Sequence, residues 1–367
     1  MLSWSFNYKL FFKKNMIGLV LLMIFGVSIV SWDNGLVLKS LALYEVLPIA
    51  SISVRTLQQI HKDDKSANDN KARIETETKQ QNEQVEDKTQ SQPTQFDSNA
   101  LFVMAAEEIV NFKDMNYLKS NIYTVDKLTN ILDGEIDAEK FVSMDFSLDN
   151  ASDGPKVLIF HTHAHEAYID SDMNMGVEEG IVGIGEELKN ILENEYGIET
   201  IHCTENFDYV NNKMNTTGAY ERMEPVIEQI LKENPSIEIV IDLHRDGIAD
   251  ETKKLVTEIN GEQVAQIMFL NGLCRVYEGD ELVSTSGLSN PYLEENLGFS
   301  FDLKYAGDKM YEGFIRKIYL RAYRYSLHMC AKSILVEVGA QTNTKQEAKN
   351  AMKYLAEILN QVINKNT

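Results

Sequence analysis

The sequence predicts an α/β unit, a central mostly parallel sheet flanked by helices, set behind a single transmembrane helix and a disordered tether. Three observations predict it. From residue 156 onward, short continuously apolar runs alternate with amphipathic helical segments, as strands buried on both faces alternate with the helices that cover them. An uncharged run, MIGLVLLMIFGVSIVSW, fills residues 16–32. Between the two lies a long polar stretch with almost no large apolar side chain.

Composition sets the limits. With 367 residues and 44% hydrophobic content the chain can bury a sizeable core. A formal charge of −21 argues against nucleic acid as a partner, because phosphate recognition needs a clustered positive surface. Cys203, Cys274 and Cys330 are scattered singly, which gives neither a disulfide framework nor a CxxC metal spacing, so any metal must take His and carboxylate ligands.

Taken in order, residues 1–15 carry Lys9, Lys13 and Lys14 and are expected on the cytoplasmic side. Residues 16–32 follow as an uncleaved anchor, which places the rest of the chain outside the membrane. The apolar stretch from Leu36 to Val54 is broken by Lys39, Glu45 and Pro48 and reads as juxtamembrane. Residues 61–94 cannot bury enough surface to offset their ordering entropy, and 33–99 together form a linker. Residues 100–150 read as a mostly helical lead-in, and 151–367 as the main domain.

Within that domain KVLIF is a buried strand. Ile181, Ile184, Leu188 and Ile191 share one helical face that Gly197 ends, and ETIHC is a short strand. Met223, Val226, Ile227, Ile230 and Leu231 mark a second helix, stopped near Pro235. IEIVIDLH, VAQIMFL (264–270) and SILVEV (333–338) are further buried strands, and Ala348, Ala351, Leu355, Ile358, Leu359 and Val362 line a final helix.

In such sheets ligands sit beyond the carboxyl ends of the strands. Three of those ends carry unusual chemistry: His161 to Glu166, His244-Arg245-Asp246, and Glu337. His163-x-x-Glu166 just off a strand, joined by His244 from another, supplies the three-ligand set of a catalytic zinc with one position open for water. Glu337, a carboxylate inside an apolar strand, is the expected proton carrier between that water and a leaving nitrogen. Against this stands the plainer possibility of hydrogen-bonded strand-end residues, with Glu337 a buried partner of Arg245. His161 is expected to support the site. His165, Arg245, Arg324 and His328 are left without assigned roles, as are His61 and His202.

Together, KVLIFHTHAHEAY, GIVGIGEELKNILENEYGIE, NPSIEIVIDLHRDG, RYSLHM and SILVEVGAQTNT resemble the stage II sporulation protein P family of peptidoglycan hydrolases over roughly residues 140 to 365. The resemblance implies a fold like that of zinc-dependent N-acetylmuramoyl-L-alanine amidases. It also implies cleavage between muramic acid and the stem peptide, and cutting of peptide cross-links. It further implies action with the D and M proteins of the same sporulation stage during septal wall thinning and engulfment of the forespore. Carried over, His163, Glu166 and His244 hold Zn2+ and Glu337 is the catalytic acid/base. Related amidases draw their glutamate ligand from near the start of the first helix, which makes Glu178 the alternative to Glu166. Two other functions share parts of the pattern: a zinc carboxypeptidase, which needs an arginine such as Arg245 or Arg324 for a terminal carboxylate, and a non-catalytic wall-binding scaffold.

Overall fold

A computed structural model describes residues 27–32, 35–40, 101–149, 151–211 and 213–365. The chain divides into two compact units, residues 1–87 and 88–367. In the first, strand β1 (Val27–Trp32) pairs antiparallel with β2 (Gly35–Ser40). The last six residues of the expected span are therefore strand rather than helix, in keeping with the β-branched Val27, Ile29 and Val30. Residues 16–26, the tether at 61–94 and His61 lie outside the described residues. Among the described residues no helix is long and apolar enough to cross a membrane.

The second unit opens with α1 (Ala106–Phe112), α2 (Met115–Asn121), β3 (Tyr123–Val125) and α3 (Ala138–Ser143). The lead-in holds three short helices, and its strand β3 joins the main sheet. Strand β4 (Val157–Phe160) leads to a single 3-10 turn, Val177–Glu179, and to α4 (Ile181–Tyr196), which Gly197 closes at a left-handed φ of 68°. Then come β5 (Thr200–His202), the small hairpin β6 (Tyr209–Val210) and β7 (Lys213–Met214), α5 (Ala219–Glu233) and β8 (Ile239–Asp246). Two hairpins, β9 (Val256–Ile259) with β10 (Glu262–Ala265) and β12 (Arg275–Glu278) with β13 (Glu281–Ser284), flank β11 (Ile267–Gly272). Helix α6 (Leu293–Met310), β14 (Ile318–Arg321), β15 (Lys332–Ala340) and α7 (Lys345–Ile363) complete the unit.

Seven strands form the central sheet in the order β3-β14-β11-β15-β8-β4-β5. Strands β5, β4, β8 and β15 run parallel, and β14 is parallel to both β11 and β3. The one antiparallel pairing is β11 with β15. The run expected at 264–270 is in fact the end of β10 and most of β11, and it is this strand that reverses the sheet.

Alternation along the strands sorts the core. Val157 and Ile159 of β4, Ile241 and Leu243 of β8, and Val336 and Val338 of β15 join the cluster containing Ile184 and Leu188 of α4 and Leu355 and Leu359 of α7. Leu158, Phe160 and Val240 face the other way and pack with Met223 and Ile227 of α5. Both faces are covered, so each strand interior is apolar throughout, and a polar residue on β8 or β15 stands out against it.

Candidate active site

Because β4, β8 and β15 are adjacent and parallel, their carboxyl ends open on one edge of the sheet. In β8 the two-residue period puts Asp242 and His244 on the α5 side, and in register with His244 on the next strand stands Glu337. Between Glu337 and Ala340 the pairing slips by one residue, with Gly339 at a φ of +60° in the bulge. A side chain there would be strained and its Cβ would lie 2.7 Å from Asn343 Oδ1. The bulge interrupts the β15–β8 pairing just beyond Glu337, and the pairing resumes at Ala340 opposite Asp246.

His244 is gripped at both nitrogens. Its Nε2 donates to Asp242 Oδ1 at 2.7 Å, and its Nδ1 faces Glu166 Oε2 at 3.4 Å. Burial pushes the imidazole pKa down, but Asp242 and Glu166 outweigh it and hold the pKa well above the ordinary histidine value. Asp242 is fully buried and also accepts from the Thr162 backbone N–H (3.0 Å), the Thr162 hydroxyl and the Ser326 hydroxyl (2.8 Å each). Burial raises the Glu166 pKa, and the neighbouring His244, together with the Arg245 N–H donating to Oε2 at 2.8 Å, carries it below the usual carboxylate value.

His163 packs edge-on against His244, with ring centroids 5.4 Å apart, and against Tyr220 at 5.9 Å. Its Nδ1 is buried without a hydrogen-bond partner, the nearest carboxylate being Asp208 Oδ2 at 4.0 Å. Burial and the charge on His244 lower its pKa, which keeps the ring neutral. Glu337 Oε2 is likewise buried with no hydrogen bond. Burial drives its pKa up to about 8 against the pull of His244.

The structure therefore brings His163, Glu166, His244 and Glu337 to one place. Glu178 is exposed in the 3-10 turn and lines a different hollow, with Glu186, His202 and Lys349. Arg245 does not meet Glu337; its Nε donates to the Ala167 carbonyl. Arg324 and His328 both bind Glu224 of α5, Arg324 through both carboxylate oxygens. His161 points to the opposite face of the sheet, where Nδ1 donates to the Leu243 carbonyl (2.8 Å) and Nε2 lies 2.8 Å from His202 Nε2. Helix α4 passes so close there that a Cβ on Gly185 would stand 2.7 Å from His161 Nε2.

Asp242, Asp208, Tyr220 and Ser326 are site residues that the sequence reading passed over. The signal for Asp242 is the D-x-H spacing of IDLH on a strand, which sets a carboxylate beside a histidine on one face.

Among the described residues no cluster of three or more His, Cys, Asp or Glu side chains stands at metal-ligand spacing. His244 and Glu166 are turned toward one another, and the Arg245 N–H occupies the Glu166 oxygen. The donor types nevertheless fit a divalent ion. His163 offers a buried, unpartnered Nδ1, His244 and Glu166 face each other across 3.4 Å, and Asp242 backs His244 as a carboxylate behind a ligating imidazole does.

The sequence profile of the family Stage II sporulation protein P (SpoIIP) matches residues 38–360. The "Stage II sporulation protein P" of Bacillus subtilis (strain 168) is 22% identical over 290 residues, 73% of this chain and 66% of that protein. The chain thus matches just under two thirds of that relative's length. Among solved structures, the CwlD amidase from Clostridioides difficile in complex with the GerS lipoprotein superposes with a TM-score of 0.34 at 13% identity, covering 57% of this chain and 97% of that one. An N-acetylmuramoyl-L-alanine amidase from Clostridium difficile 630 gives 0.33 at 16%, covering 58% and 96%. These superpositions are too loose to carry a mechanism across.

Proposed function

The chain belongs to the stage II sporulation protein P family, and from that premise we propose that it is a peptidoglycan hydrolase of spore formation. Its reaction is hydrolysis of the amide between muramic acid and L-alanine, with peptide cross-links as a further substrate. The single observation that carries this reading is the meeting of His163, Glu166 and His244 beside the unpartnered Glu337 Oε2 on one sheet edge. The apolar run that opens at residue 16 is its membrane anchor, the catalytic unit faces outward, and the D and M proteins of the same stage are its partners.

His163, Glu166 and His244 would hold a zinc ion, which when bound supplies a Lewis acid at the scissile carbonyl and a water acidified to near neutral pH. The chain's own residues do the rest. Asp242, fixed by Thr162 and Ser326, keeps the His244 ring in one orientation and tautomer. In its ionised form, which grows as pH rises toward its pKa of about 8, Glu337 Oε2 takes a proton from the attacking water and delivers it to the nitrogen as the C–N bond breaks. The products are the muramic lactyl carboxylate and a stem peptide with a free amino end. Tyr220 packs edge to face against both His163 and Tyr325.

The carboxypeptidase alternative is disfavoured, since Arg245 and Arg324 are both committed to internal partners. Mass spectrometry of purified peptidoglycan treated with the full chain tests the proposal. Peptide-free glycan and free stem peptides are expected, with release stopped by a chelator and by Glu337→Gln while zinc stays bound. Unchanged muropeptides would sink it, and release of single terminal residues would favour the carboxypeptidase.

A further inference from the structure

The geometry points to a sugar-binding platform at the rim of the site, formed by Tyr209 stacked on His165, which holds the glycan side of the substrate. The Tyr209 and His165 rings lie nearly parallel, 20° apart with centroids at 4.7 Å. His165 is fixed from below: its Nδ1 donates to Asp208 Oδ1 at 2.8 Å, and its Nε2 is 3.4 Å from the Asn206 side-chain nitrogen. Asp208 is itself buried, and its second oxygen stands 4.0 Å from His163 Nδ1. The platform is thereby indexed to the site through one carboxylate.

The loop that carries it is braced. Arg222 of α5 donates through its guanidinium to the carbonyls of Phe207 (2.7 Å), Asn215 (2.6 Å) and Thr217 (3.0 Å), so the hairpin bearing Tyr209 is tied down on both sides. Yet Tyr209 is 41% exposed, and Met214, paired with it across the hairpin, is 62% exposed. A rigid, flat aromatic surface left open to water beside a reaction centre, edged by the amide of Asn206, matches a pyranose ring. Such a ring has a C–H face to stack and hydroxyls at its margin.

This inference rests on the amidase reading, in which the scissile amide joins a sugar on one side to a peptide on the other. It assigns Tyr209 and His165 to the sugar and makes them positioning residues. The test uses the full chain carrying Glu337→Gln to prevent turnover, with peptide-free glycan strands and free stem peptides as separate probes. Adding Tyr209→Ala is expected to weaken glycan binding about three- to tenfold and to leave stem-peptide binding unchanged, with Tyr209→Trp restoring it. In the chain with Glu337 intact, Tyr209→Ala should raise KM on whole wall and spare kcat. Unchanged glycan binding, or an equal loss for peptides, overturns the platform. Tyr209-dependent glycan binding by a chain that hydrolyses no wall would keep the platform and discard the amidase.

Discussion

At Asp242 the most consequential side chain of the site is one that never meets the substrate. It accepts four hydrogen bonds, from two elements outside its own strand as well as from His244, so the ring is aimed by a fully satisfied buried carboxylate. Asp242→Asn replaces one accepting oxygen with a donor facing donors. The expected result is a zinc affinity lowered about 10- to 100-fold, read by competition with a chromogenic chelator, while His163 and Glu166 stay in place. The sequence reading separated His163, as ligand, from His161, as support, but not the face of the sheet on which His161 lies. His161 and His163 are two residues apart, yet one faces α4 and the other the site, because the strand ends at Phe160 and the period of two ends with it. Asp208 and Tyr220 were invisible for a related reason: both sit outside the strand ends and reach the site only through the path of the loop after β5.

The elements that could be read ahead were those with one-sided patterns. Helices α4, α5 and α7 each show an apolar stripe, and β4, β8 and β15 show continuous apolar runs between polar ends. Helix α6 is different, because it is buried on nearly every side, and a helix without a wet face shows no period to detect. The strand β14 was missed with it, which hid the reversal of the sheet at β11. At the end of the sheet away from the site, Glu238 just before β8 binds Lys332 of β15 (2.9 Å) and the Asp149 N–H (2.8 Å), with Lys156 before β4 at 3.4 Å. It staples together the starts of the three strands whose ends make the site. Burial alone would raise its pKa, but the two lysines and the N–H carry it below 4.5. A depressed carboxylate stabilises the fold fully above that unfolded value and ceases to do so as pH falls through the lower folded one. Glu238→Gln should therefore cost about 1 kcal/mol in urea unfolding at pH 7, and the gap between variant and parent should close as pH falls below 4.5.

For the whole molecule, the proposed membrane anchoring rests on the apolar run that opens at residue 16 and the polar stretch at 61–94. A chain restricted to residues 88–367 is expected to leave the membrane fraction on cell lysis while still releasing stem peptides from purified wall, and the full chain to sediment with membranes. Co-sedimentation of the shortened chain would assign membrane attachment elsewhere. The sheet order has its own consequence. The strand in the middle, β15, is the last of the seven to be made, and it alone joins the β5-β4-β8 group to β11 and its neighbours. Before residue 340 has emerged, neither group has its central partner, and Glu337 has no His244 beside it. Until β15 has been made, the two strand groups have nothing to join them and the four residues of the candidate site cannot meet, so the proposed hydrolase would be complete only once that strand is in place.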